Sequence, residues 1–216
     1  MTRLKRNIYD IVSWFVYLAT LTGVCHATAP SVEAPAADQR PSFVKLNRAG
    51  QPMATASDPA LPWHCVLDRR TKLIWEVKTR DNRLQDATQT YSWLWPDPQK
   101  NGGHSGYPDK GRCSLKRCNT QDYINAINDA RLCGSSEWRL PTREELRTLV
   151  DYTVAYPGPT IDQAFFPHTQ GQFYWSSNTD ANNIDSAWGI GFSFGFDYAY
   201  FKSDMGHVRL VSGPVR

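Results

Sequence analysis

Long apolar runs are scarce in this chain. The longest, at residues 11–24, falls short of the roughly 20 residues that a spanning helix needs, so it does not read as a permanent membrane anchor. Neither HExxH nor a pair of CxxC motifs occurs, and no two histidines stand at helical spacing, which leaves only Cys113-Ser-Leu-Lys-Arg-Cys118 as a weak zinc candidate. No internal repeat is present. Charge of one sign is not in excess: 24 basic and 21 acidic side chains nearly cancel over 216 residues. That balance argues against a nucleic-acid partner and against a membrane-surface role, both of which need a basic excess.

The N-terminus is informative. MTRLKRN carries Arg3, Lys5 and Arg6, the apolar run follows, and Val24-Cys25-His26-Ala27-Thr28-Ala29 ends it in small residues. This is the layout of a secretory signal peptide over residues 1–27, with cleavage after Ala27 and membrane contact only in transit. A lipoprotein signal would use Cys25, but Val24 stands where a small residue is required. The exported chain, periplasmic or secreted, then has 21 basic and 20 acidic side chains. Four cysteines remain, Cys65, Cys113, Cys118 and Cys133, and an even count in an exported protein reads as disulfides. Three pairings are possible. Closure across a helix between Cys118 and Cys133 favours that pair, leaving Cys65 for Cys113.

Residues 28–58 are rich in Ala, Pro and Ser, with too few large apolar side chains to offset the entropy of ordering, and read as an extended leader. A single domain occupies 59–216. It opens with strand candidates at 65–67 and 73–77 around a polar turn, a hairpin. A long irregular segment at 79–117 holds Tyr91, Trp93 and Trp95 and then a tract crowded with Pro, Gly, Asn and Asp. Thr120 is placed as the cap of a helix with Tyr123, Ile124, Ile127 and Arg131 on one side, ending at Cys133-Gly134. Thr142 and Glu145 form a capping box for a second helix, and Pro141 keeps Leu140 extended. Beyond Pro167 the pattern is β, with FYWSS, SAWGIGFSFG, FDYAYFK and HVRLV in succession. In the second run Trp188, Ile190, Phe192 and Phe194 alternate with Gly or Ser, implying one buried face and one bare one.

Gly191-Phe192-Ser193-Phe194-Gly195 matches G-x-S-x-G, but it lies inside a strand-like run and lacks the strand–turn–helix setting of a hydrolase nucleophile. The polar stretch NTDANNID at 178–185 lacks the glycine and glutamate of an EF-hand loop and reads as a solvated turn. Two features suit sugar recognition. Tyr91, Trp93, Trp95, Tyr198 and Tyr200 offer rings for stacking; Lys110, Arg112, Lys116 and Arg117, with Lys202 near the second group, offer cations for acidic groups.

The phrases CVLDRRTKLIWEVKT, TYSWLW, CNTQDYINAINDARLCGSSEWRLPTREELRTLV, YWSSNTD, AWGIGFSFG and KSDMGHVRLVSG, in this order, resemble the Lcl C-terminal domain family. The resemblance implies an α+β, C-type lectin-like fold, related to formylglycine-generating enzymes, with two helices packed on a twisted antiparallel sheet. It implies that Trp138 enters the core and Arg139 ties strand to helix. For the adhesin that names the family it implies binding of sulfated glycosaminoglycans and trimers, but this chain has no Gly-X-Y repeat. The lectin calcium phrases EPN, QPD and WND are missing. Formylglycine chemistry needs copper-binding cysteines, whereas all four here are assigned to structural pairs. The expectation is an exported, non-catalytic binding module without cofactor or metal, whose partner is a glycan or an envelope protein.

Overall fold

The computed structural model describes residues 42–53 and 62–213; the signal-peptide reading at 1–27 lies outside them. Strands are β1 (Phe43–Leu46), β2 (Cys65–Asp68), β3 (Ile74–Glu76), β4 (Phe173–Asp180), β5 (Asn183–Gly191), β6 (Phe196–Phe201) and β7 (Val211–Ser212), and the helices are α1 (Thr120–Asp129) and α2 (Arg143–Arg147). Two antiparallel sheets form, in the orders β1-β2-β3-β7 and β4-β5-β6. The fold class is therefore α+β, with two helices and two disulfides. Among the described residues no helix is long and apolar enough to cross a membrane.

The first hairpin closes where the sequence places it. Asp68 Oδ1 accepts from the Arg70 amide at 2.8 Å and Oδ2 from the Thr71 hydroxyl at 2.8 Å, while Lys72 takes a positive φ of 64° to complete the reversal. On its other side β2 pairs with β1, so Phe43–Leu46 is not extended leader but the edge strand of this sheet. The apolar Phe43, Val44 and Leu46 supply the burial that the surrounding Ala and Pro residues lack; Leu46 is buried, and Phe43 packs edge-on against Phe166.

Helix α1 is capped by Asn119, not Thr120: Asn119 Oδ1 accepts from the Asp122 amide at 2.8 Å. Thr120 is buried and used elsewhere, its hydroxyl both donating to Leu94 O and accepting from Leu94 N at 2.9 Å. The helix stops at Ala130, because Arg131 and Cys133 both adopt left-handed φ values of 45° and 48°. The 3-10 turn Leu132–Gly134 then leads to Trp138, whose amide donates to Asn128 Oδ1 at 2.7 Å and whose indole donates to Leu132 O at 2.9 Å. Trp138 is thus a core side chain that fastens α1 to the segment after it.

Arg139 exchanges two backbone hydrogen bonds of 3.0 Å with Val211 of β7, and its guanidinium grips both Glu145 oxygens at 2.7 and 2.8 Å. The same Glu145 accepts from the Thr142 amide while its own amide donates to the Thr142 hydroxyl, the reciprocal capping box. One carboxylate therefore joins the helix start to the strand.

The disulfides correct the expected pairing. Cys65 bonds Cys133, and Cys113 bonds Cys118, with Cα separations of 6.5 and 5.5 Å. The reason is geometric: Cys118 precedes α1 and Cys133 follows it, and a ten-residue helix is a rod of about 15 Å, beyond what a disulfide spans.

Two apolar clusters fill the interior. One gathers Tyr91, Trp93, Tyr123, Ile127, Trp138 and Trp175 around the Cys65–Cys133 bond; the other gathers Trp75, Leu146, Phe166, Tyr174, Ile190 and Phe192. An ionic network is also buried. Lys78 Nζ reaches Glu76 Oε1 at 3.0 Å and the Tyr123 hydroxyl at 2.8 Å; Tyr123 donates to the same Glu76 oxygen, and Glu76 Oε2 accepts from Leu210 N at 3.0 Å. Arg209 donates to Glu76 O and to the Thr169 hydroxyl. Burial lowers the Lys78 pKa despite Glu76, and raises that of Tyr123 well above the usual phenol value.

Candidate functional site

Side chains of β6 alternate between two environments. Asp197 lies toward α2, with ion pairs to Arg143 at 3.6 Å and Arg147 at 4.0 Å, beside Trp188, over which Arg143 stacks at 4.6 Å. Phe196, Tyr198 and Tyr200 occupy the other face. Across the ladder they meet Gly191, Gly189 and Ala187 of β5, small residues that leave Phe196 and Tyr198 more than half exposed. At Gly189 an added Cβ would stand 2.9 Å from Tyr174 O and 3.2 Å from the Phe173 ring, so the bare position is what lets Phe173 and Tyr200 stack at 3.7 Å over the sheet.

The row continues through the turn. Phe194 and Phe196 lie with ring planes 7° apart, and Tyr156 stacks on Phe194 at 4.6 Å. Tyr156, Phe194, Phe196 and Tyr198 are each more than half exposed, from 53% to 68%. The Tyr152 hydroxyl donates to Gly195 O, fastening the turn to the segment that carries Tyr156. Parallel, accessible rings are unusual on a polar surface, and they offer flat apolar faces to a ligand.

Phe194 corrects an expectation. The strand ends at Gly191, and Gly195, with φ of 74°, turns the chain, so Phe194 sits exposed at the tip rather than buried with Ile190 and Phe192. Sequence reasoning missed Tyr156, Phe194 and Phe196; the available signal was Gly195, a turn residue between two aromatics.

Of the candidates named from sequence, Tyr198 and Tyr200 belong to this row. Tyr91 and Trp93 do not, being wholly buried: the Tyr91 hydroxyl donates to Gln89 Oε1 at 2.8 Å and the Trp93 indole to Ser176 O at 2.9 Å. Trp95 is partly buried beside Trp93, at 6.1 Å between rings. Lys202 is buried as well. Its ammonium lies 4.3 Å from the Trp93 ring centre and donates to Asn101 O at 2.9 Å and His104 O at 2.7 Å, clamping the irregular loop. Burial pushes its pKa down to about 8, partly opposed by Asp185. Tyr91, Trp93 and Lys202 shape the interior and cannot touch a ligand.

Lys110, Arg112, Lys116 and Arg117 are exposed around the small ring closed by Cys113–Cys118. Arg117 is engaged by Asp122 at 2.7 and 3.2 Å; the other three side chains have no ion pair among the described residues. No hydrogen bond or ring contact among the described residues joins this basic patch to the aromatic row. Ser193 donates to Gly171 O at 2.9 Å, and His207 Nδ1 lies 3.0 Å from Gln89 O, so each is held by a backbone carbonyl of a different segment. Among the described residues no three His, Cys, Asp or Glu side chains converge to hold a metal ion.

No curated protein and no solved structure matches this chain. The model of the Lcl C-terminal domain matches residues 64–212, which span both sheets from β2 to β7, both helices and the whole aromatic row. This chain belongs to the Lcl C-terminal domain family.

Proposed function

We propose that the protein is an exported, non-catalytic module of the bacterial envelope or cell surface, of C-type lectin-like architecture, that recognises carbohydrate through the aromatic row of β6. The observation that carries this is the set of near-parallel exposed rings Tyr156, Phe194 and Phe196, continued along β6 by the exposed Tyr198. A pyranose presents a flat C–H face that packs on such rings, while its hydroxyls stay in water. Two disulfides and membership of this family are consistent with export. Lys110, Arg112 and Lys116 offer cations to an acidic or sulfated group, and binding through them would weaken with salt.

The test is a glycan-array screen of the oxidised protein with calcium and again with chelator, followed by titration of the best ligand against F196A/Y198A. Chelator-independent binding lost by at least tenfold in that variant supports the site. Unchanged binding by the variant removes it.

A second reading, a protein-binding component of an envelope or pilus assembly, is favoured by β6 being the edge of its sheet. Its one charge, Asp197, is already paired with arginines, so the edge lacks the charged side chains that usually guard such strands. A partner captured from envelope extract that soluble glycans fail to displace would select this reading.

A further inference from the structure

A cleft of about 450 Å³, lined by none of the β6 aromatics, opens where the turn at 47–51, His64, the loop at 79–85 and the end of α1 meet. Each wall is held in place. Asn47 Oδ1 accepts from the amides of Ala49 and Gln51 at 2.9 and 3.0 Å, which sets Arg48 at the tip of its turn. Gly50 takes φ of 81°, and a Cβ there would lie 2.3 Å from Cys133 O, so that turn is seated directly on the disulfide segment. Asp81 Oδ1 accepts from the Thr79 hydroxyl at 2.8 Å and the Arg83 amide at 3.0 Å, closing the third wall on itself. His64 is bound through Cys65 to Cys133, next to Leu132. The cleft is preformed, so a ligand need not order it.

Its chemistry divides by depth. Leu84, Ile127 and Leu132 make an apolar floor, with Arg48, Arg83 and His64 above it. Among the described residues neither guanidinium makes an ion pair or a side-chain hydrogen bond, and the His64 imidazole has no partner. Burial first, and Arg48 second, lower the His64 pKa, so at neutral pH the ring is uncharged and can donate one hydrogen bond. Among the described residues Asp81 is the only carboxylate on the lining, and two arginines outweigh it. The carbonyl end of α1, at Ala130, disfavours an anion deep in the cleft and so directs negative charge to the arginine side.

We infer that this cleft binds a small monocarboxylate with a compact apolar body, the carboxylate held between Arg48 and Arg83 and the body resting on Leu84, Ile127 and Leu132. A planar guanidinium matches a carboxylate in two-point geometry, and a second cation with a neutral imidazole completes its oxygens. A branched apolar chain such as that of leucine is the probe for this floor. A free acid and the C-terminal residue of a peptide share this chemistry. The site is independent of the glycan reading, because the two share no residue.

The test is calorimetric titration of the full protein with 4-methylpentanoate and with acetyl-Ala-Ala-Leu, each beside its amide, and repeated on R48Q, R83Q and F196A. The expected result is saturable binding of at least one acid, no binding of its amide, about tenfold or greater loss in each arginine variant, and no change in F196A. Binding of 4-methylpentanoate alone identifies a free-acid site, and binding of the peptide identifies a C-terminus receptor. Equal binding of acid and amide, wild-type affinity in R48Q and R83Q, or no saturation by either acid overturns the inference. Both arginines are exposed, so the Gln variants remain folded, which circular dichroism checks.

Discussion

The two disulfides make unequal contributions to stability, and the difference follows from where they sit. Cys65–Cys133 closes 68 residues, and Cys113–Cys118 closes five. In the chain-entropy model the first constrains the unfolded chain by about 4 kcal/mol and the second by about 2 kcal/mol. Cys65 and Cys133 are also buried in the first apolar cluster, so the packing lost on truncation adds to the entropic loss. Double variants C65A/C133A and C113A/C118A, unfolded in urea and by heat under oxidising conditions, read the two terms separately. The expected gap of about 2 kcal/mol corresponds to melting points about 4 to 8 °C apart, with C65A/C133A the lower. Equal losses, or the opposite order, would refute the reasoning; so would a non-reducing peptide map that links Cys118 to Cys133.

Two further outcomes follow from buried charge. Replacing Glu76 by Ala strands Lys78 without its anion in a site where the lysine is 3% exposed, and costs about 3 to 5 kcal/mol; E76A/K78M recovers most of the loss if the pair itself is the cause. Urea unfolding of both variants measures this, and equal instability of the two would point to the backbone contact at Leu210 N instead. His207 titrates at about 4 in the folded protein, chiefly through burial, against 6.5 for the free side chain. Between those values the unfolded chain binds more protons, so stability falls as pH drops from 6.5 to 4, by about 3 kcal/mol in all. H207Q removes that part of the slope, and an unchanged pH profile in the variant would exclude His207 as its source.

The aromatic row shows why surface and core were hard to separate in the sequence. Trp93 and Phe194 both sit in aromatic stretches next to turn residues, but Trp93 is sealed by Ser176 O and the Lys202 ammonium, whereas Phe194 stacks with other exposed rings and is itself 54% exposed. Within a few residues only Gly195, directly after Phe194, distinguishes them. Lys202 is sharper still. A lysine after an aromatic strand reads as a surface cation, but the carbonyls of Asn101 and His104 satisfy it about a hundred positions away.

What the sequence determined by itself was local: the Thr142 and Glu145 capping box, the first hairpin, the β character beyond Pro167, and the ordered phrases that mark the family. These depend on hydrogen bonds and side-chain periodicity within four or five residues, which composition and spacing encode directly. The tertiary structure alone decided the partners of Cys65 and Cys118, the strand at Phe43–Leu46, the burial of Tyr91, Trp93 and Lys202, and the exposure of Phe194. Each of those depends on which distant segment arrives alongside, and a rigid helix or a closed turn settles that through geometry the linear order of residues does not express.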